Sequence, residues 1–339
     1  MLYIEIDLNK LITNIIKIKS ITGKKIIPII KSNAYGLGDI EIAKQLQKKG
    51  IDLMAVVDTR EAMHLNAGNI DAEILILNSI NPNQYNILNT TDNLIVSINS
   101  LHDAIAINNF TLNRTVKIHI QIDTGMNRLG FSDLTEYMNA YRILAENPRL
   151  KIEGIYTHFT DDNNFRIQEK RFLRYLNNFH YKYVHCAASS TYQHTQIGNY
   201  LRIGNDIYGG SNVTEQIIKI ITKPLAIRKV KKGETVGYDQ AYRVTGEQNI
   251  AVLPIGYYNG FRRSLAGYPV LINGKMYPTV GKVCMNHLFV KVDDDVNQDS
   301  LIVITSIQHP ISKMAQYLNT VTHEILCMFN ISDKRYIGG

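Results

Sequence analysis

Short apolar, β-branched segments recur along the first two-thirds of the chain, and stretches with a helical period separate them. One such stretch, 39–49, places Ile40, Ala43 and Leu46 on one side, and Gly50 suits the position after a helix. The apolar segments predict eight strands, at residues 26–31, 53–57, 73–77, 93–98, 116–122, 152–157, 181–186 and 201–207. Strand and helix alternating eight times indicate a (β/α)8 barrel, with a doubly wound sheet as the alternative.

The segments around these strands complete the predicted pattern. Residues 8–20 carry an apolar face and follow Asp7, a suitable N-cap, and 135–146 and 165–178 have the same helical period. The connection 78–92 is short for a full helix with two loops. The strand–helix repeat is therefore less regular in this part of the chain.

The pattern changes near residue 223, where short alternating strands and turn signals replace the strand–helix repeat. Asn273–Gly274 lies between apolar runs and predicts a β-hairpin. We expect an antiparallel β region over 223–297, a helix near 311–318 and a final strand around 324–329. The predicted organisation is a barrel at 1–222 followed by a mainly antiparallel β domain at 223–339.

Composition narrows the class of protein. Of the 339 residues 45% are hydrophobic and 20% charged, which fits a folded core rather than a disordered chain. The three cysteines show no CxxC spacing, so neither a disulfide framework nor a metal site is expected. The start has no signal-peptide pattern and no apolar run reaches ~18 residues, so we expect a cytoplasmic protein without a membrane span.

The net charge of +7 comes from scattered basic residues. Most stand singly or in pairs such as Lys48–Lys49, and there is no arginine-rich run with interleaved aromatics. This spacing favours a solvated lysine-rich surface over a nucleic-acid interface.

Polar residues cluster where the predicted barrel strands end, which is where barrel enzymes place their chemistry. Lys31 ends the first strand, the loop 123–128 follows the fifth, His158 ends the sixth and Ser189 follows the seventh. A lysine at a barrel mouth can be desolvated, which lowers its pKa and frees its amine as a nucleophile or base. The alternative is an ordinary strand-end lysine whose amine reaches water.

Several motifs in order along the chain resemble those of the alanine racemases. The sequence Lys31-Ser-Asn-Ala-Tyr35-Gly-Leu-Gly resembles the lysine motif that holds pyridoxal 5'-phosphate in that family. The other similar segments are 123–131 (DTGMNRLGF), 157–159 (THF), 202–209 (RIGNDIYG), 237–238 (GY), 255–257 (IGY) and 283–285 (VCM). The resemblance spans Lys31 to Met285 and implies the same fold, a barrel followed by a β domain.

The resemblance implies a two-base amino-acid racemase. Lys31 would bind pyridoxal 5'-phosphate and serve the D-enantiomer, and Tyr238 would serve the L-enantiomer from the opposite face. In the family this tyrosine and the methionine matching Met285 come from the partner subunit. A head-to-tail homodimer with composite sites is therefore implied. The resemblance leaves two roles open, a housekeeping supply of D-alanine to a cell wall and a specialised role.

The remaining roles also follow from the resemblance. Arg202 would face the pyridine nitrogen and His158 would orient it, while Arg128 would help to bind the substrate carboxylate. The predicted cofactor-binding residues are Lys31, Tyr35, His158, Ser189, Arg202, Gly204 and Asn205. Hydroxyl and amide groups of the kind offered by Ser189, Gly204 and Asn205 suit phosphate oxygens.

The chain departs from the family pattern around this site. Gln121 and Asn286 stand where many members have a lysine, often carbamylated, and an aspartate; Asn259 and Ala188 are further replacements. The loss of acidic groups predicts a more positive pocket with a bound anion such as chloride near Arg128. His323 stands where a tyrosine is usual, so the pocket wall can differ.

These observations leave alternative functions open. The leading hypothesis is an alanine racemase, followed by a serine or broad-specificity racemase of the same family. A non-racemising barrel that binds pyridoxal phosphate would have no need of the chain after residue 223 or of Tyr238. A cofactor-free aldolase that uses Lys31 would have no need of Arg202 and a phosphate loop.

Overall fold

The computed structural model describes residues 1–160, 163–176, 179–187 and 189–339. The chain divides into two compact units. The barrel unit comprises Ile15–Ala34 and Gly38–Ile207, and the β unit comprises Met1–Asn14, Tyr35–Leu37 and Tyr208–Gly339.

Eight parallel strands form the barrel unit. Strand β1 (Leu2–Asp7) belongs to the β unit; the barrel strands are β2 (Lys25–Pro28), β3 (Leu53–Val56), β4 (Glu73–Ile76), β5 (Leu94–Ile98), β6 (Val116–Ile122), β7 (Leu150–Thr157), β8 (Tyr183–Cys186) and β9 (Tyr200–Ile203). Their order is β2-β9-β8-β7-β6-β5-β4-β3. A parallel bridge between Ile29 and Ala55 joins the two ends. This closure confirms the barrel and excludes the doubly wound sheet, whose edge strands would not meet.

Helices precede or connect most of the barrel strands, whereas only turns are described between β8 and β9. They are α1 (Leu8–Thr22), α2 (Lys31–Tyr35), α3 (Asp39–Lys48), α4 (Thr59–Ala67), α5 (Ile87–Thr90), α6 (Leu101–Asn108), α7 (Leu134–Ala145) and α8 (Phe165–Leu176). Segment α2 has left-handed backbone angles and is a turn rather than a right-handed helix. The short connection after β4 holds only a 3-10 turn at Pro82–Gln84 and the four-residue α5. Residues 177 and 178, at the predicted end of α8, lie outside the described residues.

A nine-stranded sheet forms the β unit, in the order β11-β14-β17-β16-β15-β18-β10-β1-β19. Its further strands are β10 (Ile218–Thr222), β11 (Ala226–Val230), β14 (Gln248–Leu253), β15 (Pro269–Ile272), β16 (Lys275–Val280), β17 (Leu288–Val292), β18 (Ile302–Thr305) and β19 (Lys334–Ile337), while β12 (Thr235–Val236) and β13 (Tyr242–Arg243) form a separate ribbon. Strand β1 pairs antiparallel with β10 and parallel with β19. Residues before position 223 therefore contribute two adjacent strands to this sheet.

The Asn-Gly hairpin is confirmed and the predicted last strand is wrong. Asn273 and Gly274 join β15 to β16 with φ of 49° and 80°, the left-handed conformation that this two-residue turn requires. The segment 324–329 lies mostly in helix α10 (Thr322–Met328), which follows α9 (Ile311–Tyr317). Ile325 and Leu326 are buried from one side of a short helix. An apolar run this short has no decisive period, and the true last strand is β19.

No helix within the described ranges is both long and apolar enough to cross a membrane.

Candidate active site

Lys31 lies at the carboxyl end of β2, at the start of an unusual backbone turn. Ser32, Asn33, Ala34 and Tyr35 all have φ between 50° and 58°. For L-residues this left-handed conformation costs roughly 1–2 kcal/mol per residue, and runs of it are rare. Backbone strain of this kind is retained where surrounding contacts enforce it, often at functional sites. The half-buried Lys31 thus occupies the barrel end that the sequence predicted.

Arg202, on β9, is the most constrained charged group of the site, with only 5% of its surface exposed. Its Nη2 donates to the carbonyl oxygen of Thr157 at 2.6 Å, and its Nη1 donates to the carbonyl oxygen of His185 at 3.0 Å. Nη1 also lies 2.8 Å from Nδ1 of His185, and Nη2 lies 3.4 Å from Nδ1 of His158. The guanidinium is therefore fixed by neighbours that accept hydrogen bonds and carry no negative charge.

The histidines beside Arg202 are held neutral. Burial, together with the smaller effects of the positive charges of Arg202, Arg128 and Lys31, lowers the pKa of His158 to about 3. Burial and Arg202 likewise lower the pKa of His185 well below its ordinary value. The pKa of Arg202 falls to about 10 through burial, which still leaves the group protonated near pH 7. The site therefore combines one fixed cation with neutral imidazoles.

A buried chain of imidazoles extends from Arg202 into the barrel. His119 Nδ1 lies 2.9 Å from His185 Nε2, and both rings are fully buried. Because Arg202 can only donate, Nδ1 of His185 must accept, so its Nε2 carries the proton and donates to His119. Neither His119 nor His185 was among the site residues predicted from the sequence.

Gln121 is buried near the end of β6. Its Oε1 accepts a hydrogen bond at 2.8 Å from the hydroxyl of Tyr156, which also lies 2.8 Å from Oγ of Ser97. The ring of Tyr156 stacks on His185 and lies under the Arg202 guanidinium at 4.8 Å. Gln121 is thus oriented by Tyr156, a residue the sequence did not single out.

Arg128 stands on a compact loop between β6 and Phe131. Oδ1 of Asp123 accepts from the backbone N–H groups of Gly125 and Asn127, at 2.8 and 3.1 Å. Two backbone hydrogen bonds join Phe131 to Gln121 and Asp123 and close the loop. In the part of the chain that the structure describes, no hydrogen bond or ion pair fixes the Arg128 guanidinium. The backbone of the loop is therefore fixed by hydrogen bonds, whereas the positively charged side chain of Arg128 is not fixed by any described residue.

The predicted phosphate-binding residues follow β8 and β9. Ser189 is half-buried, Gly204 is buried, and Asn205 begins a 3-10 turn that runs to Tyr208. These positions share the barrel end with Lys31 and Arg202. Ala188, named above as a departure, lies outside the described residues.

Tyr35 belongs to the β unit, where its ring lies 5.0 Å from that of Tyr208. Burial raises the pKa of its hydroxyl above the ordinary range for a phenol, with a smaller contribution from Cys327. A phenol in this state remains a hydrogen-bond donor. That property fits the predicted role beside a phosphate.

Tyr238 and Met285 lie on exposed segments of the β unit. Tyr238 is 67% exposed and Met285 is 54% exposed. Tyr238 follows Gly237 and precedes Asp239, which forms an ion pair with Lys282. That ion pair joins the Tyr238 turn to the loop that carries Met285 and the exposed Asn286. The side chains of Tyr238 and Met285 are both accessible from solvent in the single chain.

The barrel unit therefore brings together Lys31, Gln121, Arg128, His158, Ser189, Arg202, Gly204 and Asn205, and the β unit carries Tyr35, Tyr238, Met285 and Asn286. Sequence reasoning missed His185, Tyr156 and the carbonyl oxygen of Thr157. A polar residue within an otherwise apolar strand, as His185 is in β8, was the available signal.

Comparison with known proteins places both parts of the chain. Residues 6–212 match the family described as alanine racemase, N-terminal domain, and residues 217–337 match the alanine racemase C-terminal domain. The alanine racemase of Staphylococcus saprophyticus is 29% identical over 96% of this chain and 91% of its own length. That of Macrococcus caseolyticus is 28% identical over 99% of this chain and 95% of its own length.

Solved structures agree with this placement. The alanine racemase from E. faecalis has a TM-score of 0.92 at 27% identity, covering 98% of this chain and 97% of that one. The alanine racemase from Bacillus anthracis with bound L-Ala-P has a TM-score of 0.90 at 27% identity, covering 100% of this chain and 95% of that one.

Proposed function

The chain belongs to the alanine racemase family of isomerases, and from this premise we propose that it interconverts L- and D-alanine with pyridoxal 5'-phosphate by a two-base mechanism. The observation that carries the proposal is the Arg202 cluster. It fixes one buried cation among neutral imidazoles at the barrel end where Lys31 also lies.

The donor set at this barrel end fits pyridoxal phosphate. A half-buried lysine amine suits its aldehyde, a fixed cationic donor suits its ring nitrogen, and the hydroxyl and amide groups at Ser189, Gly204 and Asn205 suit its phosphate. When bound, this cofactor withdraws electrons from the substrate and so makes the α-proton acidic.

Arg202 determines which reaction such an electron sink favours. A guanidinium that stays protonated near neutral pH can donate a hydrogen bond to the ring nitrogen and gives up no proton to it. His158 and His185 are neutral near pH 7 because their pKa values are lowered, so they do not protonate the ring nitrogen either. Arg202 would therefore hold the ring nitrogen of the cofactor without protonating it, and the weaker electron withdrawal would favour proton return over transamination.

Racemisation requires proton transfer on both faces of the α-carbon. We assign the face that serves D-alanine to the amine of Lys31 and the other face to the phenol of Tyr238. The exposure of Tyr238 and Met285 in a single chain supports their donation to the site of a second copy, in a head-to-tail homodimer. The Asp239–Lys282 ion pair would hold this presenting surface together.

The substrate carboxylate would bind at Arg128. Neutral Gln121 would leave the positive charges of Arg128 and Arg202 without a nearby family acid, and Asn286 would add none if it joins this site from a second copy, so a bound chloride would offset their charge. We propose that Gln121, oriented by Tyr156, supports Arg128 through its amide.

A serine or broad-specificity racemase is the second candidate, and His323 favours it. His323 is exposed on α10 and replaces the tyrosine expected from the family pattern. If this position borders the substrate pocket as the family pattern implies, an imidazole would change the volume and polarity of the pocket wall.

The test is a racemisation assay on the purified protein loaded with pyridoxal phosphate, with L-alanine, L-serine and L-lysine compared by chiral separation. Conversion of L-alanine fastest supports the first proposal, whereas serine or lysine turning over faster supports the second. A colourless protein that racemises none of them would refute both.

A further inference from the structure

The turn that follows Lys31 is held by a carboxylate from the neighbouring barrel segment. Oε1 of Glu61 accepts the backbone N–H of Ser32 at 2.6 Å, and Oε2 accepts the backbone N–H of Val57 at 2.8 Å. One half-buried side chain therefore ties the loop after β2 to the loop after β3.

This arrangement differs from ordinary helix capping. Glu61 is the third residue of α4, where a glutamate commonly reaches back to the N-cap backbone. Here the N-cap is Asp58, whose own carboxylate accepts from the N–H groups of Arg60 and Glu61 at 3.0 and 3.1 Å. The N-terminus of helix α4 is thus capped without the Glu61 carboxylate. That carboxylate instead accepts hydrogen bonds from backbone N–H groups of two different loops.

The left-handed turn needs such an external contact. No glycine lowers the cost of positive φ between Ser32 and Tyr35. Other hydrogen bonds act further along the turn: Ala34 N–H donates to Ile30, and Asn33 accepts from Gly38. The Ser32 N–H, one peptide from Lys31, is bonded to Glu61. Both oxygens of an ionised carboxylate accept, and charge-assisted bonds of this kind are the strong ones.

We propose that Glu61 is a positioning residue for the amine of Lys31. Its carboxylate fixes the backbone at the Lys31–Ser32 peptide, and this sets the direction in which the long lysine side chain leaves the barrel rim. The inference rests on the proposed function, because it takes Lys31 as the reactive amine. A displacement of a reacting group by about 1 Å can lower a rate by about 10²-fold.

The test compares E61Q and E61A with D58N in the holoenzyme. In E61Q one amide oxygen can still accept, while the amide NH2 faces the second N–H donor. We expect kcat to fall by about 10-fold in E61Q and about 10²-fold in E61A, equally for L- and D-alanine, with KM changed less than twofold. D58N keeps a good N-cap residue on the same helix end and should retain wild-type rates.

Two further measurements separate positioning from a general loss of stability. Amide hydrogen exchange should accelerate in the peptide that contains Ser32 in E61Q but not in D58N. Borohydride reduction of the visible absorbance band should also change rate only in the Glu61 variants. If E61A does not fold, E61Q carries the test, since it keeps the side-chain volume.

The outcomes are distinguishable from failure of the proposed function. A wild-type protein that binds no pyridoxal phosphate or racemises nothing refutes the proposed function. A wild-type protein that racemises alanine, with E61Q within twofold of it in kcat and unchanged in exchange at Ser32, overturns the role of Glu61 alone. Equal losses in E61Q and D58N also overturn it, because they would reflect the stability of α4.

Discussion

Nη1 of Arg202 lies 2.8 Å from Nδ1 of His185, on the adjacent barrel strand. The guanidinium only donates hydrogen bonds, so Nδ1 of His185 is the acceptor in this contact. The tautomer of His185 is therefore fixed, and its Nε2–H donates to His119. A cation in a barrel interior is usually neutralised by a carboxylate. Here carbonyl oxygens and neutral imidazoles surround it, so its charge is available to whatever binds at the barrel end.

Lys31→Ala should remove both the cofactor band and the activity. Without the amine there is no covalent attachment for pyridoxal phosphate and no base on the D face, so racemisation should fall by about 10³-fold or more. Absorbance before and after borohydride treatment measures the attachment. Lys25→Ala, at the exposed start of the same strand, is the matched control and should keep the band. An intact, reducible band in Lys31→Ala would refute the assignment.

Tyr238→Phe should separate the two faces of the reaction. Racemisation must slow equally in both directions, since its equilibrium is fixed, and we expect a loss of about 10²- to 10⁴-fold. Deuterium from solvent should still enter the α-position of D-alanine through Lys31, while exchange into L-alanine is suppressed. Mass spectrometry of each enantiomer measures this difference. Tyr317→Phe, another exposed tyrosine of the β unit, should change neither; equal exchange losses from both enantiomers would contradict the two-base assignment.

Arg202→Glu should convert part of the turnover into transamination. A carboxylate at this position would share a proton with the ring nitrogen, and the stronger electron sink would then favour pyruvate formation. We expect racemisation to fall by about 10²-fold or more and pyruvate per turnover to rise. A coupled pyruvate assay gives the ratio, with Arg335→Lys on the exposed surface as the control. An unchanged ratio would argue that Arg202 does not face the ring.

His119→Asn should reduce the acid sensitivity of folding. In the unfolded chain His119 titrates near its ordinary value, and in the fold burial lowers its pKa to about 3. Between these values the unfolded state binds more protons, so the free energy of unfolding decreases as the pH falls through this window. Asn keeps an acceptor for His185 but cannot be protonated. The slope of unfolding free energy against pH should therefore decrease by about 1 kcal/mol per pH unit between pH 4 and 6.

Urea unfolding across this range measures that slope. His102→Asn, at an exposed histidine of α6, is the control and should leave the slope unaltered. Parallel slopes for wild type and His119→Asn would show that the buried imidazole is not what the acid protonates.

Chloride should assist substrate binding through Arg128. In wild type, replacing chloride with a large organic anion should raise the KM for alanine several-fold, because the neutral side chain of Gln121 does not offset the positive charge of Arg128. Gln121→Glu keeps the acceptor for Tyr156 and adds the missing charge, so its KM should not depend on chloride. Gln316→Glu, at an exposed position of α9, is the charge-matched control. Chloride independence of the wild type would rule out the anion site.

The periodicity of the chain was sufficient to predict the barrel, since its eight strands are short apolar runs and helical segments lie between most of them. The Asn-Gly hairpin was equally local, because the turn itself requires left-handed residues. The strand predicted at 324–329 was wrong because a short apolar run has the same composition in a buried helix as in a strand. The motif residues from Lys31 to Met285 indicated the family, and the comparisons confirmed it.

The tertiary structure alone decided how the predicted groups are held. The pairing of His185 with Arg202, of Tyr156 with Gln121 and of Glu61 with Ser32 joins residues 17 to 35 positions apart on different barrel segments. Local sequence sets backbone periodicity, but hydrogen-bond direction and burial depend on which strands become neighbours. Closure of the barrel therefore fixes the charge states. The sequence supplied an arginine and three histidines, and burial in the folded barrel leaves the arginine as the only positively charged group of the four.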